Sequence, residues 1–190
     1  MFNYKNAFQC DRQSKYDFSV SRSNYLFNEK GDVTVVFKEY DKQGNLVDFD
    51  SNDVDDKSRT DLVMFYSTPT STDDIRYNIE LKERWGKYTS DYYGKDDDNE
   101  GWMLNIDKVS ELKKLDGIPL YVNLYPDNKI RVWNLNKISD FNTITKNIHK
   151  TTVIPSDVKQ QDRYEVWNRD SILIDRVKGY KNNGFFTSCS

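Results

Sequence analysis

The chain has 190 residues and a formal net charge of −3, with 36% of its residues hydrophobic and 31% charged. This length fits one domain, and the aromatic content of 14% argues against disorder, because disordered chains lack large apolar side chains. The acidic balance excludes a generally basic nucleic-acid coat protein and leaves a local basic patch as the route to nucleic acid. No apolar stretch approaches the roughly 20 residues that cross a bilayer, so we expect no membrane partner.

The ends of the chain and its residue usage indicate a location. Residues 1–11 lack the apolar core of a signal peptide, and Cys10 and Cys189 lie too far apart in sequence to suggest a disulfide scaffold. The abundance of Asp, Asn and Lys is typical of AT-rich bacterial or phage genes. We therefore expect a cytoplasmic protein of a bacterial or phage-infected cell, folded as a single domain over residues 1–190.

The first third of the chain predicts short strands. Within residues 1–30, Tyr16, Phe18 and Val20 alternate with polar residues, which suggests one short strand and no helix. The β-branched and aromatic residues of 33–40, a turn around Gly44, and the apolar residues of 46–49 predict a hairpin.

Two further strands are indicated more strongly. Residues 61–66 are continuously apolar after the first position, which predicts a strand buried on both faces. In the predicted strand over residues 75–84, apolar and polar side chains alternate from Ile75 to Lys82, so this strand is expected to bury one face and present charged groups on the other.

The second half of the chain predicts a helix and then more strands. Ile106, Val109, Leu112 and Leu115 recur at helical spacing, and Gly117 is placed to end the helix. The remaining patterns predict a hairpin over 120–125 and 130–135, a short helix over 141–149, and short strands over 151–154, 164–167 and 172–174. The fold class that follows is α/β or α+β, with a central mixed β-sheet flanked by helices.

Three residues could carry chemistry on neighbouring strands. Glu80 and Lys82 are two positions apart on a strand and therefore share a face, and Asp61 at the start of the preceding strand can approach that face if the two strands pair. Two converging carboxylates suit Mg²⁺, and the carbonyl of Leu81 could add a ligand. An ammonium beside a metal and a water is suited to phosphodiester hydrolysis.

The pattern of Asp61, a variable linker and Glu80-Leu81-Lys82 resembles the signature of the PD-(D/E)XK nuclease superfamily. The resemblance covers roughly residues 33–135, a restriction-endonuclease-like core, and leaves 136–190 as a C-terminal extension. It implies a metal-dependent DNA endonuclease in which Asp61 and Glu80 bind Mg²⁺, or Mn²⁺ in its place, and Lys82 assists the attacking water. It also implies a DNA partner and allows a homodimer.

Many members of that superfamily carry a further glutamate on a helix before the first strand. The sequence offers Glu29 or Glu39 for that position. Aromatic and basic residues after the alternating strand could contact nucleic acid, because aromatic faces stack on unpaired bases and cations contact phosphates; alternatively, the tyrosines cover the sheet edge. These residues are Arg84, Lys87, Tyr92, Tyr93 and Lys95.

Two alternatives to the nuclease interpretation stay open. Arg76, Glu80, Lys82 and Arg84 could form a solvated cross-strand salt-bridge face, as exposed faces of antiparallel sheets commonly do. In that case the protein could be a phage or bacterial binding module without enzymatic activity, which uses its aromatic-rich sheet to engage a protein or a carbohydrate.

Overall fold

A computed structural model describes residues 4–50, 62–93, 101–139, 141–149 and 158–177 of the chain. The two α-helices are α1 (Tyr4–Lys30) and α2 (Ile106–Lys114). The strands are β1 (Thr34–Tyr40), β2 (Leu46–Asp48), β3 (Leu62–Ser67), β4 (Ile75–Glu83), β5 (Trp102–Asn105), β6 (Ile118–Leu124), β7 (Lys129–Asn134), β8 (Asn142–His149), β9 (Val158–Val166) and β10 (Ser171–Asp175).

The main sheet has seven strands in the order β10-β7-β6-β4-β3-β1-β2, and a smaller sheet has the order β5-β9-β8. Within the main sheet, β4 and β6 are parallel and the other neighbours are antiparallel. The chain between β4 and β6 includes β5 and α2, because parallel neighbours need a long crossover connection. The predicted central mixed sheet flanked by helices is confirmed.

The two faces of the main sheet pack against different layers. On one face, Phe18 and Leu26 of α1 share a core cluster with Ile79, Leu81 and other strand residues. On the opposite face, Val109 and Leu112 of α2 share a second cluster with side chains of β5, β6, β7 and β9. We call these the α1 face and the α2 face.

Several predicted elements are confirmed with small shifts at their ends. The first hairpin forms as β1 and β2, the apolar strand as β3 with Leu62, Val63 and Met64 fully buried, and the second hairpin as β6 and β7. Helix α2 begins after Asn105, whose side chain accepts a hydrogen bond from the backbone N–H of Asp107. Strand β5 was not predicted, and the predicted strand over 151–154 lies outside the described residues.

The strand predicted around Tyr16 is wrong, because residues 4–30 form the 27-residue helix α1. No Gly or Pro interrupts this segment, and Gly31, at φ 76° and donating to the carbonyl of Phe27, ends the helix. Most of its buried side chains are polar, including Arg12, Asp17 and Arg22, so no apolar stripe marks the helix.

The helix predicted over 141–149 is also wrong, because residues 142–149 form strand β8, which pairs antiparallel with β9 along its whole length. Phe141, Ile144 and Ile148 recur at a spacing that also fits a helix. Pairing with β9 favours the extended conformation, which β-branched Thr and Ile adopt readily. Phe141, just before the strand, stacks on Tyr164 with ring centroids 4.6 Å apart.

Segments after residue 135 join both sheets. Strand β10 pairs with β7 at the edge of the main sheet, and β9 pairs with β5 in the small sheet. Among the described residues, no helix combines the length and the apolar character needed to cross a membrane.

Candidate active site

Strand β4 presents its alternating side chains as predicted. Ile79 and Leu81 belong to the core on the α1 face, so Glu80 and Lys82 point to the α2 face. In the parallel pairing with β6, Glu80 lies beside Tyr121 and Lys82 beside Asn123. The register of β4 therefore brings Glu80 and Lys82 together on one face.

Glu80 and Lys82 form an ion pair at this face. The Lys82 Nζ lies 2.7 Å from the Glu80 Oε1, and the side chain of Glu80 is 7% exposed while that of Lys82 is 50% exposed. Residues of helix α2 and strand β5 lie across a pocket from the carboxylate. The interpretation of this surface as a solvated salt-bridge face is therefore wrong for Glu80, because its carboxylate is buried and its ion pair runs along one strand.

A pocket with a volume of about 310 Å³ opens at this ion pair. Its polar lining consists of Glu80, Lys82, Arg84, Asn105, Lys108, Tyr121 and Arg163. Its apolar lining consists of Met103, Leu104, Val109 and Leu112. Four of these side chains are cationic and one is a carboxylate, so the pocket favours an anionic ligand even though the chain as a whole is acidic.

Arg84 is fixed in the pocket wall by three contacts. Its Nε donates to the Asn123 Oδ1 at 3.1 Å, its Nη2 donates to the Tyr121 hydroxyl at 2.5 Å, and its guanidinium lies 4.9 Å from the centre of the Trp102 ring. Burial raises the pKa of Tyr121, which keeps the phenol neutral and able to accept this hydrogen bond. The guanidinium is therefore held in one orientation, which favours recognition of an anion of fixed geometry.

Asp61 lies outside the described residues. Leu62, the next residue, pairs with Ile79 in the antiparallel register of β3 and β4, directly before Glu80. The side chain of Leu81 packs into the core on the α1 face, and the residue pairs with Val122 of β6. Within the described ranges, no three Asp, Glu, Cys or His side chains are close enough to hold a metal ion.

The glutamates considered as a further acid do not reach this pocket. Glu29 lies on the exposed end of α1. Glu39 is buried and receives Arg12 of α1, with 2.6 Å between the Arg12 Nη1 and the Glu39 Oε2. Since α1 covers the face opposite Glu80, neither glutamate adds a ligand beside it.

Some of the residues predicted to contact nucleic acid pack against other side chains of the protein. Tyr92 and Tyr93 are half-buried and pack edge to face at 4.4 Å, and Tyr93 packs on Trp102 at 4.8 Å. The Lys87 Nζ lies 5.5 Å from the centre of the Tyr92 ring. A hydrogen bond between the two side chains raises the pKa of the Lys87 ammonium. The two tyrosines thus pack against the core cluster of the α2 face. Lys95 lies outside the described residues.

Sequence patterns did not reveal several pocket residues. Lys108 lies on α2 and Arg163 on β9, and both line the pocket together with Glu80 and Lys82 of β4. Trp85 and Tyr88 were not predicted to contact nucleic acid. They are 45% and 38% exposed and follow Arg84 within four positions. Their clustering after a basic residue was the one available signal.

Comparison of the chain with protein-family models, with curated proteins and with solved structures finds no match.

Proposed function

We propose that the protein is a metal-dependent endonuclease that hydrolyses phosphodiester bonds in DNA. The observation that carries the proposal is the pocket at Glu80, where a buried carboxylate and an adjacent ammonium face three further cations. A phosphodiester is anionic and gains negative charge as it is attacked, so fixed cations around it stabilise the transition state.

The donor set fits a hard divalent cation in part. Glu80 supplies a buried carboxylate oxygen, which Mg²⁺ and Mn²⁺ accept. Asp61 would supply the second carboxylate and the Leu81 carbonyl a further oxygen. A bound metal would lower the pKa of a coordinated water and neutralise phosphate charge.

The protein side chains have separate roles in this proposal. Lys82, which now pairs with Glu80, would hydrogen-bond the attacking water and hold it against the phosphate. Arg84, which Tyr121 and Asn123 fix in place, would bind a nonbridging phosphate oxygen. Lys108 and Arg163 on the opposite wall would contact phosphates on either side of the cleaved bond.

The proposal is tested by cleavage of supercoiled plasmid, single-stranded circular DNA and a branched junction in Mg²⁺, Mn²⁺ or EDTA. We expect metal-dependent cleavage, and Glu80→Gln, Lys82→Ala and Asp61→Asn should each lower its rate by about 100-fold or more. Thermal unfolding with and without Mn²⁺ gives a second readout, because a bound metal stabilises the folded state of the wild type more than that of Glu80→Gln.

Glu83→Gln is the matched control, since Glu83 lies on the same strand but binds Arg176 on the α1 face. It should retain cleavage when assayed below its unfolding temperature. If no DNA is cleaved and Mn²⁺ stabilises the wild type and Glu80→Gln equally, the nuclease proposal is wrong. The binding module for a protein or carbohydrate would then be the better hypothesis.

A further inference from the structure

The pocket restricts what can reach the Glu80 carboxylate. Its volume of about 310 Å³ is room for about ten water molecules at roughly 30 Å³ each. The sheet forms one wall, and α2 with β5 forms the other through Lys108, Val109 and Met103. A phosphate that reaches Glu80 therefore lies between these two walls.

An exposed aromatic and basic surface lies next to the pocket. Trp85 directly follows Arg84, and the backbone N–H of Tyr88 donates to the Trp85 carbonyl at 3.3 Å, which closes a turn. Tyr88 packs edge to face on Tyr92 at 4.9 Å, and the Lys87 Nζ lies 5.7 Å from the centre of the Tyr88 ring. We call Trp85, Lys87 and Tyr88 the aromatic turn.

The aromatic turn is connected to the pocket through Trp102. The Tyr88 ring contacts the Trp102 ring at 6.5 Å, and the same indole carries the Arg84 guanidinium on its face. Trp85 and Tyr88 are 45% and 38% exposed, and the Lys87 ammonium lies over the Tyr88 ring. Exposed aromatic faces next to cations are the arrangement by which proteins bind single-stranded nucleic acid, through base stacking and phosphate contacts.

We propose that the substrate strand is single-stranded where it enters the pocket. Its unpaired bases stack on Trp85 and Tyr88. Lys87 and Arg84 bind its phosphates and position one of them at Glu80. This inference names the substrate class of the proposed nuclease and rests on that function for the cleavage step alone. Binding of the single strand is a separate property, because the aromatic turn lies outside the groups that perform the chemistry.

Tryptophan fluorescence tests the proposal on the full chain in EDTA, where no cleavage occurs. Trp85 is 45% exposed, whereas Trp102 and Trp133 are 3% and 0% exposed and Trp167 is half-buried. Titration with oligo(dT) of roughly 12 nucleotides should quench the emission and give saturable binding. The same oligo(dT) annealed to oligo(dA) should bind about tenfold more weakly, because paired bases cannot stack on side chains.

Substitutions locate the binding surface. Trp85→Phe should abolish most of the quenching while binding persists by fluorescence anisotropy of a dye-labelled oligo(dT). Trp85→Ala and Tyr88→Ala should each weaken binding about five-fold or more. Phe27→Ala removes a ring that is 58% exposed on the last turn of α1 and should leave binding unchanged.

The outcomes separate this inference from the proposed function. Equal binding of duplex and single strand, or unaltered binding by Trp85→Ala and Tyr88→Ala, would overturn the inference even if DNA is cleaved. Single-strand binding that depends on the aromatic turn, with no cleavage in any metal, would support the inference and refute the nuclease.

Discussion

Two glutamates of strand β4, Glu83 and Glu80, lie on opposite faces of the main sheet and have different neighbours. Glu83 on the α1 face receives both terminal nitrogens of Arg176, at 2.6 and 3.0 Å, and the hydroxyl of Ser14 at 2.7 Å. Glu80 on the α2 face pairs with Lys82, whose side chain is 50% exposed. The carboxylate of Glu83 is held by fixed partners, whereas that of Glu80 borders a pocket.

The two faces of the main sheet differ in the ratio of cations to carboxylates. On the α1 face, Arg176 also binds Asp17 at 2.9 Å, so one buried guanidinium is shared by two carboxylates. On the α2 face, the pocket holds more cations than carboxylates. This buried network of one guanidinium and two carboxylates joins α1 and the segment after β10 to the sheet. A surplus of one sign beside a cavity attracts a ligand of the other sign.

The largest loss of stability is expected from Arg176→Ala. The substitution leaves Asp17 and Glu83 buried without their cation, which should lower the free energy of unfolding by about 3–5 kcal/mol. Urea unfolding followed by circular dichroism measures the change. Arg169→Ala, at an exposed arginine of the same segment, should change it by about 0.5 kcal/mol or less. Equal effects for the two variants would show that the α1 face does not depend on this network.

A smaller loss is expected from Glu83→Gln. The amide keeps the shape of the carboxylate but weakens the charge-assisted hydrogen bonds from Arg176, so the free energy of unfolding should fall by about 1–3 kcal/mol. Because Asp17 still binds Arg176, the loss should be smaller than for Arg176→Ala. A double-mutant cycle of the two substitutions measures their coupling, and strictly additive effects would contradict a shared network.

The smallest change in stability is expected from Glu80→Gln, which should alter the free energy of unfolding by less than about 1 kcal/mol. The half-exposed Lys82 ammonium can turn to water, and the substitution removes a buried charge. The same urea experiment, paired with the cleavage assay, checks this contrast. A loss as large as that of Glu83→Gln would identify the Glu80–Lys82 pair as structural.

The elements with a clear hydrophobic periodicity were predicted correctly from the sequence. Strand β4 and helix α2 were correct because local periodicity and burial agree, with Ile79 and Leu81 on one core and Val109 and Leu112 on the other. The positions of Glu80 and Lys82 followed directly from the alternation along β4, since neighbouring strand residues point to opposite faces.

Helix α1 could not be predicted in the same way. Its buried surface includes Arg12, which binds Glu39 of β1, and Asp17, which binds Arg176 just after β10. A helix that docks through charges lacks the apolar stripe that periodicity detects. The pocket residues Lys108 and Arg163 were not predicted for a related reason. No local sequence pattern shows which residues of α2 and β9 will line a pocket with β4.

The network around Arg176 joins residues far apart in the chain. Arg176 lies 159 positions from Asp17, and the backbone N–H of Val177 donates to the Ser21 hydroxyl across 156 positions. During synthesis, α1 leaves the ribosome long before the segment that neutralises Asp17. Contacts of such long sequence separation form late and slow the search for the native state. We infer that folding of this face is completed only after the segment that contains Arg176 has been made.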